Sequence, residues 1–366
     1  MNATEIHGLF PDDYAAGRAA FVDAARAVDG RHVSFEHRRR GPDGEALSLD
    51  LVAFGDPDAP DVLFISSGTH GVEGFAGSGI QRVLLEDGLP GDIPDSMQLL
   101  LAHAVNPHGF AWRRRVNEDN VDLNRNFIDH TVPYPVNDGY EELAHMLPPE
   151  EWNEESAGQI TAMYVDALER HGPEWLQAAL QSGQYAHPQG LFYGGHGPTW
   201  SNLRIQQIAE RFIAGAKRLI FIDIHTALGD YGTAQMITEY EEGSALHRAS
   251  RDMWGKRAVN AGGGDSVSAP ISGSMIAGMK RTLPDVKVIG GGLEYGTVPA
   301  IEVGMAMIAD HWLHEHGDLS SPQAEAIKSE MMRVFFPDEI DWCASVVNIA
   351  REVVAQTIKY VKASPS

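Results

Sequence analysis

Four short segments carry side chains whose types and spacing could do chemistry. The first, Ser66-Ser67-Gly68-Thr69-His70-Gly71-Val72-Glu73-Gly74, contains His-x-x-Glu. Residues three apart become neighbours on a helical turn, so the imidazole of His70 and the carboxylate of Glu73 can share one cation. The second opens with Asn106-Pro107-His108-Gly109-Phe110 and runs through Arg113-Arg114-Arg115 to Val121-Asp122-Leu123-Asn124-Arg125-Asn126-Phe127. Arginine presents a fixed fork of donors to a carboxylate or a developing oxyanion, and a neighbouring asparagine adds a neutral amide, so this stretch is an inventory for binding anions. The third, Ile220-Phe221-Ile222-Asp223-Ile224-His225-Thr226, ends an apolar run with Asp223 and His225 on one face of a strand. His225 supplies the ligand that His70 and Glu73 lack, and three protein ligands with an open fourth position is the pattern of catalytic zinc. In the fourth, Gly290-Gly291-Gly292-Leu293-Glu294-Tyr295-Gly296-Thr297, glycines allow close approach of a substrate to the backbone, and Glu294 can serve as a general base on water.

These segments must be held by the elements before them. Apolar runs of strand length, Asp61 to Ile65, Leu99 to Ala102, Arg218 to Ile222 and Val286 to Ile289, are each followed closely by a segment rich in Gly, His, Asn or Glu. That is an α/β pattern, and an open α/β sheet places its chemistry beyond the ends of such strands. A helix is predicted from about Pro11 to Val28, and an edge strand over Arg31 to His37. Between about residues 129 and 201 the composition turns acidic and aromatic, which predicts an insertion over the sheet with helices of its own. The tail at about 323–362 has Ile349, Val353 and Ile358 at helical spacing and reads as helical packing without an assignable motif. The expectation is one catalytic domain over 1–366, with no internal repeat.

At 366 residues and 43% hydrophobic content the chain can bury a large core. A formal net charge of −23 argues against nucleic acid or an anionic membrane as partner, because such surfaces repel an acidic protein. A small molecule or peptide fits better. One cysteine, Cys343, cannot form an internal disulfide, and the polar, acidic start Met1-Asn2-Ala3-Thr4-Glu5 lacks the features of a secretory signal, so the cytoplasm is expected. No apolar stretch approaches the roughly 18 to 20 residues that span a bilayer. No Gly-x-Ser-x-Gly elbow occurs, which disfavours a serine hydrolase. His103, His108 and His196 are spare imidazoles near the motif segments and leave a second metal ion open.

In their order, the four segments resemble the zinc carboxypeptidase superfamily, which includes the succinylglutamate desuccinylase and aspartoacylase branch. Within it the chain is similar to an uncharacterised, mainly bacterial branch marked by His-Gly-x-Glu-Gly, Asp-x-His-Thr-x-Leu-Gly and Leu-Glu-Tyr-Gly-Thr, here His70 to Gly74, Asp223 to Gly229 and Leu293 to Thr297. The segment Gly190-Leu191-Phe192-Tyr193-Gly194-Gly195 also looks like a feature of that branch. The resemblance implies a three-layer α/β/α fold with a central, mostly parallel mixed sheet. It makes His70, Glu73 and His225 ligands of one zinc ion, Asp122 the partner of His70 behind the metal, and Glu294 the catalytic base. Arg115 would polarise the scissile carbonyl, with Arg113 and Arg114 as alternatives, and Asn124 with Arg125 would grip a substrate carboxylate. The implied reaction is hydrolysis of an amide bond in a small peptide with a free carboxylate, or alternatively deacylation of an N-acyl amino acid; a non-catalytic binding module on the same fold is the third reading. One departure stands out: between Tyr240 and Glu294 there is no tyrosine, where classical carboxypeptidases carry a mobile one, and Tyr193, Tyr231 and Tyr295 are the candidates to replace it.

Overall fold

The computed structural model describes residues 1–364. Eight strands form one sheet: β1 Arg31–Arg40, β2 Ala46–Phe54, β3 Asp61–Ser66, β4 Met97–His103, β5 Arg218–Tyr231, β6 Ala234–Thr238, β7 Ala258–Asn260 and β8 Lys287–Gly296. Their spatial order is β1-β2-β4-β3-β5-β8-β6-β7. The inner strands β4, β3, β5 and β8 run parallel, and β2 and β6 flank them antiparallel. β3 and β4 are buried along their whole length, which is why both read as unbroken apolar runs rather than alternating ones.

Helices cover both faces. On one, Tyr14–Ala27, Gly74–Glu86, Ala245–Trp254 and Ile340–Ala363 pack over the sheet around Phe21, Phe75, Trp254 and Trp342. On the other, Trp200–Phe212 and Met275–Thr282 close a second layer around Phe64, Phe221 and Phe127. A third apolar cluster lies among the helices Asp138–Leu143, Glu154–His171, Pro173–Gln181, Ala300–Glu315 and Pro322–Phe335. No helix among the described residues is long and apolar enough to cross a membrane.

Chain direction determines where a site can form. From β3 the chain steps to β4 on one side, and it later returns to pair β5 along the other edge of β3. The connections therefore diverge at the carboxyl ends of β3 and β5, opening the crevice that open α/β sheets use for ligands. Three of the four sequence segments leave strands bordering this crevice: His70 and Glu73 after β3, His225 on β5, and Glu294 on β8, in register with His225.

The C-terminal helices, for which the sequence offered no motif, fix the strand ends. Thr226 Oγ1 donates to the Phe335 carbonyl at 2.7 Å, Thr297 Oγ1 to the Val334 carbonyl at 2.6 Å, and Trp342 Nε1 to the Gly296 carbonyl at 2.9 Å. These bonds satisfy buried donors while clamping β5 and β8 beside the crevice.

The turn after β3 is equally constrained. Gly71 and Val72 donate their N–H groups to the carbonyls of Arg115 and Arg114 at 3.1 and 2.8 Å, laying the His70–Glu73 turn on the arginine segment. A Cβ at Gly71 would lie 2.0 Å from the carbonyl carbon of Gly109, where rigid backbone cannot yield. Gly71→Ala should therefore destabilise the protein by about 1–3 kcal/mol by overpacking. Urea unfolding measures it, and a variant as stable as the parent would show that the two turns can separate freely.

Candidate metal centre and active site

Three buried donors converge in the crevice. His70 Nδ1 lies 2.8 Å from Glu73 Oε1, His225 Nδ1 lies 2.9 Å from Glu73 Oε2, and the two Nδ1 atoms are 3.2 Å apart. Their ligand atoms fall within 4.8 Å of one another, close enough to face one ion. Both outer ring nitrogens are engaged by carboxylates: His70 Nε2 is 3.2 Å from Asp122 Oδ1, and His225 Nε2 is 2.6 Å from Asp223 Oδ2. With a metal bound, a carboxylate behind each imidazole would keep the ring proton at Nε2 and leave the Nδ1 lone pair for the cluster. The donor chemistry, two imidazoles and one carboxylate, fits zinc.

The charges are strongly coupled. Burial, the largest influence on Glu73, disfavours its anion, but His70 and His225 together outweigh it and hold the carboxyl down at about 2. Burial likewise opposes the Asp122 anion, and Arg115, Arg125 and His70 hold it well below the usual carboxylate range. Burial disfavours the charged form of His225, whereas Asp223 and Glu73 drive it well above the usual imidazole value. Glu294 goes the other way: burial, with Glu73 second, pushes it up to about 7. Its Oε1 accepts from the Leu228 N–H at 3.0 Å, which orients the carboxylate. A Cβ at position 292 would come within 3.1 Å of His225 Cδ2, so Gly292 leaves the imidazole its space.

The three consecutive arginines separate. Arg113, at φ 50°, points to Glu325 on the surface. Arg114 is buried in an ion pair with Asp310 at 2.9 Å. Only Arg115 turns into the crevice, with Nε on Asp122 Oδ2 at 3.0 Å and Nη1 on Glu73 Oε1 at 3.4 Å. Arg125 is buried too; its Nε donates to the Gln181 carbonyl at 2.9 Å and its Nη1 to the Asn124 carbonyl at 3.1 Å. Asn124 Oδ1 accepts the Met275 N–H at 2.8 Å, which directs its amide NH2 elsewhere. His70, Arg115, Asn124, Arg125, His225 and Glu294 all line one cavity of about 570 Å³.

Sequence reasoning missed several contributors. Phe192, held at φ 55°, lays its ring beside both guanidiniums, 5.6 Å from Arg115 Cζ and 5.4 Å from Arg125 Cζ. Its segment is docked by the Asp122 N–H on the Tyr193 carbonyl at 2.8 Å and by Asn126 Nδ2 on the Gly194 carbonyl at 2.8 Å. Asp223, which the sequence placed beside His225 without a role, holds His225 Nε2 and also accepts Thr69 Oγ1 at 2.8 Å from the turn that carries His70. Glu239, just beyond β6, lines the cavity with one oxygen on Ser274 Oγ at 2.8 Å, and burial raises its carboxyl. Its place just beyond a strand is the signal that could have found it.

The tyrosine candidates fall away. Tyr295 packs in the core, Tyr231 reaches Asp341 at the surface at 3.1 Å, and Tyr193 meets His196 edge-on. None lines the cavity, whereas Tyr164 does, from the helix Glu154–His171. A helix far away in sequence supplies it, so spacing within the motifs could not point to it. The spare imidazoles also stay outside the cluster: His103 bonds Ser78 Oγ at 2.6 Å, His108 stacks on Trp112, and His196 Nε2 donates to the Tyr185 carbonyl at 2.6 Å.

A family described as "Protein of unknown function (DUF2817)" matches residues 10–349. The chain belongs to this family. No curated protein matches it. Among solved structures it is similar to the succinylglutamate desuccinylase from Chromobacterium violaceum, at 17% identity and TM-score 0.39 over 87% of this chain and 74% of that one. It is similar to the carboxypeptidase A from Helicoverpa armigera at 14% identity and TM-score 0.44, covering 87% and 73%. Bovine thrombin-activatable fibrinolysis inhibitor, in complex with tick carboxypeptidase inhibitor, is similar at 12% identity and TM-score 0.47, covering 96% and 97%.

The carboxylates behind the imidazoles carry a test of their own. Asp223→Asn or Asp122→Asn should weaken zinc binding by roughly 10- to 100-fold, because an amide neither charges nor orients the ring as a carboxylate does. Competition against a chromogenic chelator reads this directly; unchanged affinity in both variants would mean that these pairs serve packing alone.

Proposed function

We propose that this protein is a zinc-dependent hydrolase that cleaves an amide bond in a small peptide or acyl amino acid bearing a free carboxylate. The observation that carries the proposal is the convergence of the His70, Glu73 and His225 donors beside a cavity that the Glu294 carboxylate, the buried Arg125 and the partly buried Arg115 also line. Zinc held by those three side chains supplies Lewis acidity toward water and the carbonyl oxygen. The remaining work falls to the chain itself.

Glu294 accepts the proton of the attacking water and returns it to the departing nitrogen as the C–N bond breaks, leaving a carboxylate and an amine. A carboxyl raised to about 7 can both take and give a proton near neutrality, and the Leu228 N–H on Oε1 leaves Oε2 to meet the water. Arg115, already oriented by Asp122, offers its remaining N–H groups to the developing oxyanion. Arg125 has two nitrogens anchored on backbone carbonyls and, among the described residues, no hydrogen-bond partner for Nη2; beside the amide NH2 of Asn124 it suits a substrate carboxylate.

Dipeptides assayed beside N-acetyl and N-succinyl amino acids, with and without zinc, decide between peptidase and deacylase. Glu294→Gln should keep the metal and lower turnover by roughly a hundredfold or more; near-normal turnover would remove Glu294 from the mechanism. Arg125→Ala should weaken a carboxylate substrate by about 2 to 5 kcal/mol and its amidated analogue much less. Equal losses for acid and amide would withdraw the carboxylate assignment while leaving the zinc hydrolase standing.

A further inference from the structure

The cavity is far larger than its chemistry needs, and its far wall is apolar. Val165 and Leu168 on the helix Glu154–His171 and Ile301 on the helix Ala300–Glu315 line it, yet they are 49%, 44% and 44% exposed. Large aliphatic side chains left open to solvent on two facing helices gain nothing for the fold, since exposure forfeits the transfer free energy that burial would recover. A contiguous apolar surface joined to a site of few, placed polar groups is the usual form of a ligand cavity. Leu176 and Leu180, on the helix Pro173–Gln181, extend the wall toward Arg125, whose Nε bonds that helix's last residue, Gln181. The volume of about 570 Å³ has room for about twenty heavy atoms, at roughly the 30 Å³ that a water takes in the liquid. An acetyl or succinyl group leaves most of that space empty.

Resting on the amide hydrolase reading above, we infer that the substrate is an N-acyl amino acid with a medium to long unbranched acyl chain, its carboxylate at Arg125 and its chain along Val165, Leu168 and Ile301. The lining argues for one amphipathic molecule: two guanidiniums, the hydrolytic groups and aliphatic side chains from three helices share one cavity. The wall is mostly aliphatic, with Tyr164 its one aromatic side chain on the helix Glu154–His171, and it runs along helices, which suits an extended chain.

The test is calorimetric titration of the full-length protein, without added metal and in the presence of chelator, with N-acetyl-, N-octanoyl- and N-dodecanoyl-alanine, so that binding is read apart from turnover. Affinity should rise at least about thirtyfold from acetyl to octanoyl, well short of the several-thousandfold that full burial of six methylenes gives. In the double variant Leu168→Asp/Ile301→Asp that advantage should fall to about threefold or less. Both positions are exposed, and circular dichroism with thermal unfolding establishes that the variant is folded. Equal affinity across chain lengths, or an undiminished advantage in the folded double variant, overturns the inference. Tighter binding of phenylacetyl-alanine than of octanoyl-alanine overturns it in favour of an aromatic side chain. Hydrolysis by the zinc-loaded enzyme is scored separately: turnover without chain-length dependence of binding rejects the acyl arm alone, and length-dependent binding with no cleavage of any amide rejects the hydrolase.

Discussion

The buried carboxylate of Asp223 holds the site together. It sits on β5 in register with Ser66, at the line where β3 and β5 pair and the connections diverge. Its Oδ1 accepts Ser66 Oγ at 2.6 Å and Thr69 Oγ1 at 2.8 Å, while its Oδ2 holds His225 Nε2 at 2.6 Å. An ionised carboxylate with no water around it is tolerable only when its lone pairs are filled by donors. Here those donors come from the turn that carries His70 and from the imidazole of His225. Satisfying one buried charge thus brings segments more than 150 residues apart into a common geometry.

Asp122 repeats the device on the opposite side. It meets His70, Arg115 and the backbone N–H of Asn124, with Arg125 3.9 Å away. Each aspartate offsets the cost of burying the donors around it, which would be expensive to bury alone. Glu294 has no such partner and therefore rises to about 7 while Glu73, only a few ångströms from two imidazoles, falls to about 2. Environments that push two carboxylates apart in this way suit them to different work, as the proposed ligand and the proposed proton carrier.

Much of this was legible in the sequence because the inner strands are parallel and fully buried. Such strands read as apolar runs, and the polar residues that follow them stand out: His70, Glu73, His225 and Glu294 were all found in that way, and the structure sets His70, His225 and Glu294 on one cavity with Glu73 between the two imidazoles. What the sequence hid depends on contacts between distant segments. β2 has an aspartate, Asp50, in the middle of an otherwise apolar strand, tolerated because Arg18 and His32 reach it at 2.6 and 2.8 Å. The choice among Arg113, Arg114 and Arg115 turned on Asp310, nearly 200 residues away, which takes Arg114 out of the crevice. Tyr164 and Phe192 enter the cavity from the segment between the anion-binding motif and β5, where acidic, irregular composition gives no hint of what the helices face.

That segment also keeps the wall of the cavity apart from the elements that hold the donor cluster. The donors and Glu294 are set by the sheet and by the C-terminal helices that clamp β5 and β8. The far wall is set by the helices Glu154–His171 and Pro173–Gln181, which reach the site mainly through side chains and through the docked segment carrying Phe192. Because the ligand turn hangs from β3 and the wall from separate helices, a change at Val165 or Leu168 alters the shape of the cavity while the hydrogen bonds around Asp223 and Asp122 keep their partners. The donor cluster and Glu294 are therefore positioned by the sheet, and the wall of the cavity beside them by the helices laid over it.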